Sequence, residues 1–280
     1  MAVEMVLGNH NLNFDHKVVV ITGASSGIGA ACAREFASRE ATVAMVDRNK
    51  ESGQGVLAEL KAQGADVEFF HADVSSGTAV EQTIAAIAAR FGAIDILISN
   101  AGIQRYGTVT TITEGDWDEV LNINLKGAFL MCKYAIPELI QRGGGSVVIT
   151  GSVQSVSAEL NSVQYVVSKH GLLGLTRSLA LDYGKQNIRV NCILPGAIDT
   201  PSLRWSVSLG PDPKRALAAC DSLHIRGTMG QPEEVARVIV FLASDLASFI
   251  TGAAIPVDGG LLVPSGGMAF QEAGAVSPKH

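Results

Sequence analysis

Lys17–Gly29 reads KVVVITGASSGIG. Its first six residues, Lys17–Thr22, are a short β-branched run that stops at a cluster of glycines. A short apolar run bounded by a turn marks a strand buried on both faces, as in a parallel sheet. Similar runs recur at Ala41–Val46, Val67–Phe70, Ile94–Ser99, Ser146–Thr150, Ile188–Ile193 and Ala253–Val257. Helix-like stretches lie between them, at Gly29–Ser38, Glu51–Gln63, Ala79–Phe91, Asp116–Gln141, Ser162–Tyr183 and Glu233–Ala243. Strand and helix in alternation predict a doubly wound α/β fold on a seven-stranded, mostly parallel sheet. Pro201–Arg226 breaks the rhythm with Pro211 and Pro213, so residues 200–228 read as an irregular insertion above the sheet. No linker or charge block divides the chain. One domain is expected, with its core at residues 14–260 and extensions at 1–13 and 261–280.

Composition narrows the function classes. The 280 residues carry 27 acidic and 21 basic side chains, a net charge of −6, with 47% hydrophobic and only 17% charged residues. A chain this apolar can bury enough surface to fold, which excludes disorder as the dominant state. Nucleic acid is not an expected partner, because no Lys/Arg run is present to displace counterions from phosphates. A membrane is not expected either, since no apolar stretch of about eighteen residues occurs. Met1–Asn11 lacks the basic start and apolar run of a secretory signal. Cys32, Cys132, Cys192 and Cys220 are scattered, with no CxxC pair, and read as small hydrophobes in a reducing, cytoplasmic setting.

The glycine cluster is where chemistry enters. Thr22–Gly29 follows a strand and opens a helix, so backbone N–H groups and the helix dipole would face a pyrophosphate. Gly23 permits the turn, Gly27 allows close approach to phosphate, and Gly29 lets helix pack on strand; Ser25, Ser26 and Ile28 complete the loop. The spacing G-x-x-x-G-x-G differs from the common G-x-G-x-x-G fingerprint, and an ordinary tight turn is the bland alternative. Asp47 ends the second strand, 24 positions beyond Gly23, near the roughly 20 expected of a carboxylate that binds an adenosine ribose. Such a carboxylate repels a 2′-phosphate, which predicts NAD. Arg48 leaves NADP open, because a guanidinium can grip a phosphate bidentately.

A second constellation is Tyr165 and Lys169. Their i, i+4 spacing puts both on one helix face; alone, such a pair is commonplace. Ser152 raises its weight, because it ends the fifth strand, and strand C-termini line the ligand crevice of a parallel sheet. A tyrosine serving as base near pH 7 must drop about 3 units from its usual 10, and the Lys169 ammonium is expected to favour the phenolate.

TGASSGIG, Asp73-Val74, Asn100-Ala101-Gly102, Asn124 within NINLKG, Ser152, YVVSK, Pro195-Gly196 and the closing VDGG occur in this order. Together they resemble the short-chain dehydrogenase/reductase family in its compact single-domain branch, over Phe14 to Gly260. The resemblance implies a Rossmann-type three-layer α/β/α sandwich and hydride transfer between an alcohol and a nicotinamide cofactor. It assigns acid/base work to Tyr165, the nicotinamide ribose to Lys169, the substrate oxygen to Ser152, and a helix and relay water to Asn124. It places the adenine at Asp73 and Val74, and lines the cofactor with Asn100, Ala101 and Gly102. Pro195, Gly196, Ile198 and Thr200 would border the nicotinamide. It also implies a homotetramer.

The other candidates read as structure. His71, His170 and His224 have no ligand spacing, and Asp116, Asp118 and Glu119 suit a helix start, so no metal is expected. Trp117 reads as packing. Trp205, in the irregular segment, is a candidate substrate contact. Ile103, Gln104, Val153, Gln154 and Leu160 complete the expected lining, and the amides of Gln104 and Gln154 favour a sugar or polyol. The rivals are an NADP-dependent ketone reductase, a non-catalytic cofactor-binding regulator, and an epimerase or dehydratase. The regulator sits poorly with an intact Ser–Tyr–Lys set, and the last lacks its glycine spacing. The tail Leu261–His280 reads as a subunit cap or a loose end.

Overall fold

A computed structural model describes residues 12–263, so most of the two extensions, including Pro264, Gly266 and Gly267, lies outside the described residues. β1 (Val18–Thr22) is buried along its whole length. Val19 and Ile21 enter one apolar cluster, and Val18 and Val20 enter the other. That alternation is why a continuous β-branched run forms a central strand: both faces must be covered. The remaining strands are β2 (Thr42–Asp47), β3 (Val67–His71), β4 (Ile96–Ser99), β5 (Gly145–Thr150), β6 (Ile188–Pro195) and β7 (Ala254–Val257). They pair in the order β3-β2-β1-β4-β5-β6-β7. Every pairing in the described sheet is parallel. The strand order reverses between β1 and β4, and ligands of such sheets bind beyond the carboxyl ends at that switch point.

α1 (Gly27–Ala37), α2 (Lys50–Ala62) and α9 (Pro232–Ala243) cover one face of the sheet. α3 (Gly77–Phe91), α5 (Gly127–Gln141) and α6 (Val163–Tyr183) cover the other. Their starts follow side-chain chemistry. Asn49 accepts from Ser52 N ahead of α2, and Ser76 accepts from Ala79 N ahead of α3.

Two expectations need correction. The stretch Asp116–Gln141 is not one helix: α4 (Glu114–Leu121) passes through a π-helical turn, Asn122–Lys126, into α5. Such turns are rare and gather at functional sites, and this one carries Asn124. The insertion is not irregular either. It folds into α7 (Pro201–Ser208) and α8 (Pro213–Ser222), each with proline in its first turn. Proline lacks only an N–H that a first turn leaves unbonded, and Thr200 and Asp212 supply the caps. Among the described residues no helix is long and apolar enough to cross a membrane, and no cluster of His, Cys, Asp or Glu is placed to hold a metal.

Candidate active site

A cavity of about 460 Å³ opens over the carboxyl ends of β1, β4 and β5. The glycine turn forms one wall. Gly23 takes φ +66° and Gly27 φ +52°, conformations that L side chains rarely adopt. A Cβ at Gly29 would overlap the Gly23 carbonyl oxygen. Gly23, Ser26, Gly27 and Ile28 line the cavity, whereas Gly29 packs behind it. Ser25 also stands back, with its N–H on Asp47 Oδ2 (3.0 Å) and its hydroxyl on Asn49 O (3.1 Å). No side chain caps α1 and its first turn holds no acid, so its free N–H groups suit an anion.

Asp47 and Arg48 line the adjoining corner. Asp47 Oδ1 accepts from Asn49 N at 2.8 Å, so with the Ser25 contact the carboxylate braces the turn that it adjoins. Asp73 and Val74 lie beside them. Burial raises the Asp73 carboxyl, but two bonds from Ser75 and the Arg48 charge outweigh it and hold that carboxyl below its usual range. Asn100, Ala101 and Gly102 line the floor. Thr22, which the sequence reading passed over, fixes that floor: its hydroxyl accepts from Asn100 N (2.9 Å) and Ala101 N (3.0 Å). Pro195, Gly196, Ile198 and Thr200 close the opposite side. His224 secures them, accepting from Ala197 N at 3.1 Å and approaching Cys220 O at 2.9 Å through its other ring nitrogen.

Ser152, Tyr165 and Lys169 meet in this cavity. The Lys169 ammonium donates to Thr150 O at 2.8 Å and lies 5.5 Å from the Tyr165 ring centre. Burial pushes the half-buried Tyr165 phenol up to about 12; the Ser152 hydroxyl opposes this and Glu159 adds to it. The Lys169 ammonium keeps two further N–H donors beyond its bond to Thr150 O. Burial lowers Lys169 from 10.5 to about 8. The unfolded chain thus keeps a proton that the folded chain releases across that window, and stability attributable to Lys169 rises with pH there. Relative to Lys169→Met, the wild type should gain up to about 3 kcal/mol between pH 8 and 10.5. Denaturant titrations at both ends check this; an unchanged difference would show that burial does not penalise the ammonium.

Asn124 sits in the π-helical turn, between the loop after β4 and α6. It is fully buried, and its side chain accepts from Ile103 N (2.8 Å) and donates to Ile103 O (2.9 Å) and Ser168 Oγ (3.2 Å). It does not line the cavity and ties the loop after β4 to α6, which makes it a positioning residue here. Trp205 is corrected too: it is 44% exposed and absent from the lining. Ser202, Leu203 and Ser206 face inward instead, sharing a stripe of α7 by their i, i+3 and i, i+4 spacing. Leu160 points outward as well. Gln104, Gln154, Ile103 and Val153 do line the cavity, joined by Tyr106, Glu159, Thr150 and Cys220, which sequence reading missed. Only the strand-end position of Thr150 gave a signal for any of these four.

A doubly wound parallel sheet, a glycine turn at its switch point and a tyrosine–lysine pair over the same cavity define a Rossmann-type nucleotide-dependent enzyme. The family model described as enoyl-(acyl carrier protein) reductase matches residues 23–262. D-threitol dehydrogenase of Mycolicibacterium smegmatis is 36% identical over 255 residues, covering 90% of this chain and 95% of that protein. Meso-2,3-butanediol dehydrogenase of Serratia marcescens is 37% identical over 257 residues, 91% of this chain and 98% of that one. The ligand-free structure of Thermoplasma acidophilum aldohexose dehydrogenase superposes with a TM-score of 0.84 at 34% identity, covering 98% of this chain and 100% of its own. This chain belongs to the short-chain dehydrogenase/reductase family. It is an oxidoreductase acting on CH–OH groups, in a family that uses NAD(P).

Proposed function

We propose that the protein interconverts a secondary hydroxyl of a small diol or polyol and the matching ketone, with NAD as cofactor and Tyr165 as acid/base. The observation that carries this reading is the shared cavity end: the Tyr165 phenol, the Ser152 hydroxyl and the amides of Gln104 and Gln154 converge there. The Gln104 and Gln154 carbonyl oxygens have no protein partner and are closed off from solvent, so a substrate hydroxyl reaches one only when the amide turns. The relatives that act on threitol and butanediol support the same substrate class.

The uncapped start of α1 would hold the pyrophosphate, Asp47 the adenosine ribose, Asp73 and Val74 the adenine, and Lys169 the nicotinamide ribose. The nicotinamide, when bound, supplies or accepts the hydride. Ser152 holds the substrate oxygen by a hydrogen bond. Tyr165 gives that oxygen a proton during ketone reduction and removes it during alcohol oxidation. With the phenol up at about 12, its acid form is abundant at neutral pH and its base form scarce, so oxidation should climb with pH.

An activity matrix of both cofactors against vicinal diols, polyols, aldoses and their ketones tests the reading. No NAD-linked turnover of any diol or polyol would sink it, and a strict NADP preference would hand the adenosine end to Arg48. Asp47→Asn removes the charge that repels a 2′-phosphate, so the NAD-over-NADP ratio of kcat/KM should fall about 100-fold, near 3 kcal/mol. An unchanged ratio would show that Asp47 serves only the glycine turn. A homotetramer belongs to the same reading, supported by Phe129 on α5 and Val167 and Leu181 on α6, which are exposed apolar groups; sedimentation measures it. A cytoplasmic location is the setting that four free cysteines, three of them buried, fit.

A further inference from the structure

At the substrate end, four side chains form a hydrogen-bond chain that the proton transfer itself does not require. Gln104 sits in the loop after β4, Gln154 in the short turn after β5, Glu159 in the segment leading to α6, and Ser162 at the start of that helix. Gln104 Nε2 donates to Ser162 Oγ at 2.9 Å, and Gln154 Nε2 donates to Glu159 Oε2 at 3.3 Å. The Ser162 hydroxyl lies 3.5 Å from Glu159 Oε2 and 3.3 Å from Leu160 O. Each glutamine thus spends an N–H on the chain and keeps a buried, unpartnered carbonyl oxygen. Gln104 itself is only 9% exposed.

The consequence is one of sign. Gln104, Gln154 and Glu159 all line the cavity. Beyond the Ser152 and Tyr165 hydroxyls, this end therefore presents a substrate with the Glu159 carboxyl, partly open to solvent, whose proton desolvation holds more tightly than usual against the opposing Ser162 bond. No lysine or arginine among the described lining residues answers that charge locally. Arg48 lies by Asp73 at the adenosine end, and the Lys169 ammonium is bound to Thr150 O. The Glu159 charge also reaches the neighbouring groups, since it holds the protons of Tyr165, Tyr106 and Cys220 more tightly.

We infer that Glu159 is a charge filter on the group next to the reacting carbinol: it favours a protonated amine or a hydroxyl there and rejects a carboxylate. The substrate class then extends from diols to 1,2-amino alcohols and excludes 2-hydroxy acids. An ammonium gains the Glu159 charge, a hydroxyl is nearly indifferent to it, and a carboxylate meets like charge with no lysine or arginine of the lining beside it. This rests on the proposed oxidation of a carbinol at Tyr165.

Three compounds with one carbon skeleton test it: propane-1,2-diol, 1-aminopropan-2-ol and lactate. Their kcat/KM values are measured on wild type and Glu159→Gln. Their dissociation constants are measured on Tyr165→Phe with and without Glu159→Gln, in saturating NAD. The amino-alcohol-over-lactate ratio should fall about tenfold or more on losing the charge, in turnover and in binding alike. A purely structural role for Glu159 would scale all three compounds together, and that result, or an unchanged ratio, overturns the filter. If none of the three turns over but the binding ratio still falls, the filter stands and the proposed oxidation fails. No binding of any of the three overturns both.

Discussion

Replacing Tyr165 by phenylalanine is expected to lower kcat about 1,000-fold while NADH still binds within about threefold of its wild-type affinity. The change removes one oxygen and keeps the ring, so α6 retains its packing and Lys169 retains its bond to Thr150 O. What disappears is a group able to move a proton at the substrate oxygen. The Ser152 hydroxyl cannot replace it, because no base stands beside it: its oxygen accepts from Gln154 N at 3.2 Å, and Lys169 is committed elsewhere. Steady-state turnover together with NADH fluorescence titration measures both halves. Turnover within tenfold of wild type would remove Tyr165 from the chemistry, and lost NADH binding would make it a cofactor residue first.

Gly29→Ala should have the other large effect, on folding and cofactor binding together. The added methyl would overlap the Gly23 carbonyl oxygen and approach Asn100 Nδ2 at 2.7 Å. Neither neighbour yields easily. Gly23 is held at φ +66°, and the Asn100 amide donates to Thr22 O at 3.1 Å, joining the ends of β1 and β4. Overpacking against backbone costs about 3 kcal/mol, or about 10 °C in melting temperature for a chain of this size. Relieving the clash shifts the first turn of α1 off β1, so NADH affinity should fall about 100-fold or more. Calorimetry and fluorescence titration check it. A variant that melts and binds like wild type would mean that helix and turn can slide apart without loss.

The sequence reading and the structure part company in identifiable places. Strands of β-branched residues bounded by turns were legible because burial on both faces leaves little room for polar residues. The π-helical turn at Asn122–Lys126 was not, because it arises from Asn124 turning inward onto Ile103 and Ser168, partners 21 and 44 residues away. The two helices of the insertion were masked by prolines, which read as breakers until their place in a first turn is known. Trp205 reads as a substrate contact only while the segment reads as a loop. Once α7 forms, helical spacing turns its neighbours inward instead.

The chain's own residues determined the sheet, the glycine turn, Asp47 at the second strand's end and the Tyr165–Lys169 spacing, since each depends on local periodicity or on positions a few residues apart. Tertiary structure alone decided the rest. It set the protonation of the pair through burial, which pushes the Tyr165 phenol up and the Lys169 ammonium down. It also brought Glu159, Ser162, Gln104 and Gln154 to one end of the cavity. Gln154, Glu159 and Ser162 share the connection from β5 to α6, but Gln104 comes from the loop after β4, and no sequence period links it to Ser162, a contact made only when β4 and β5 pair.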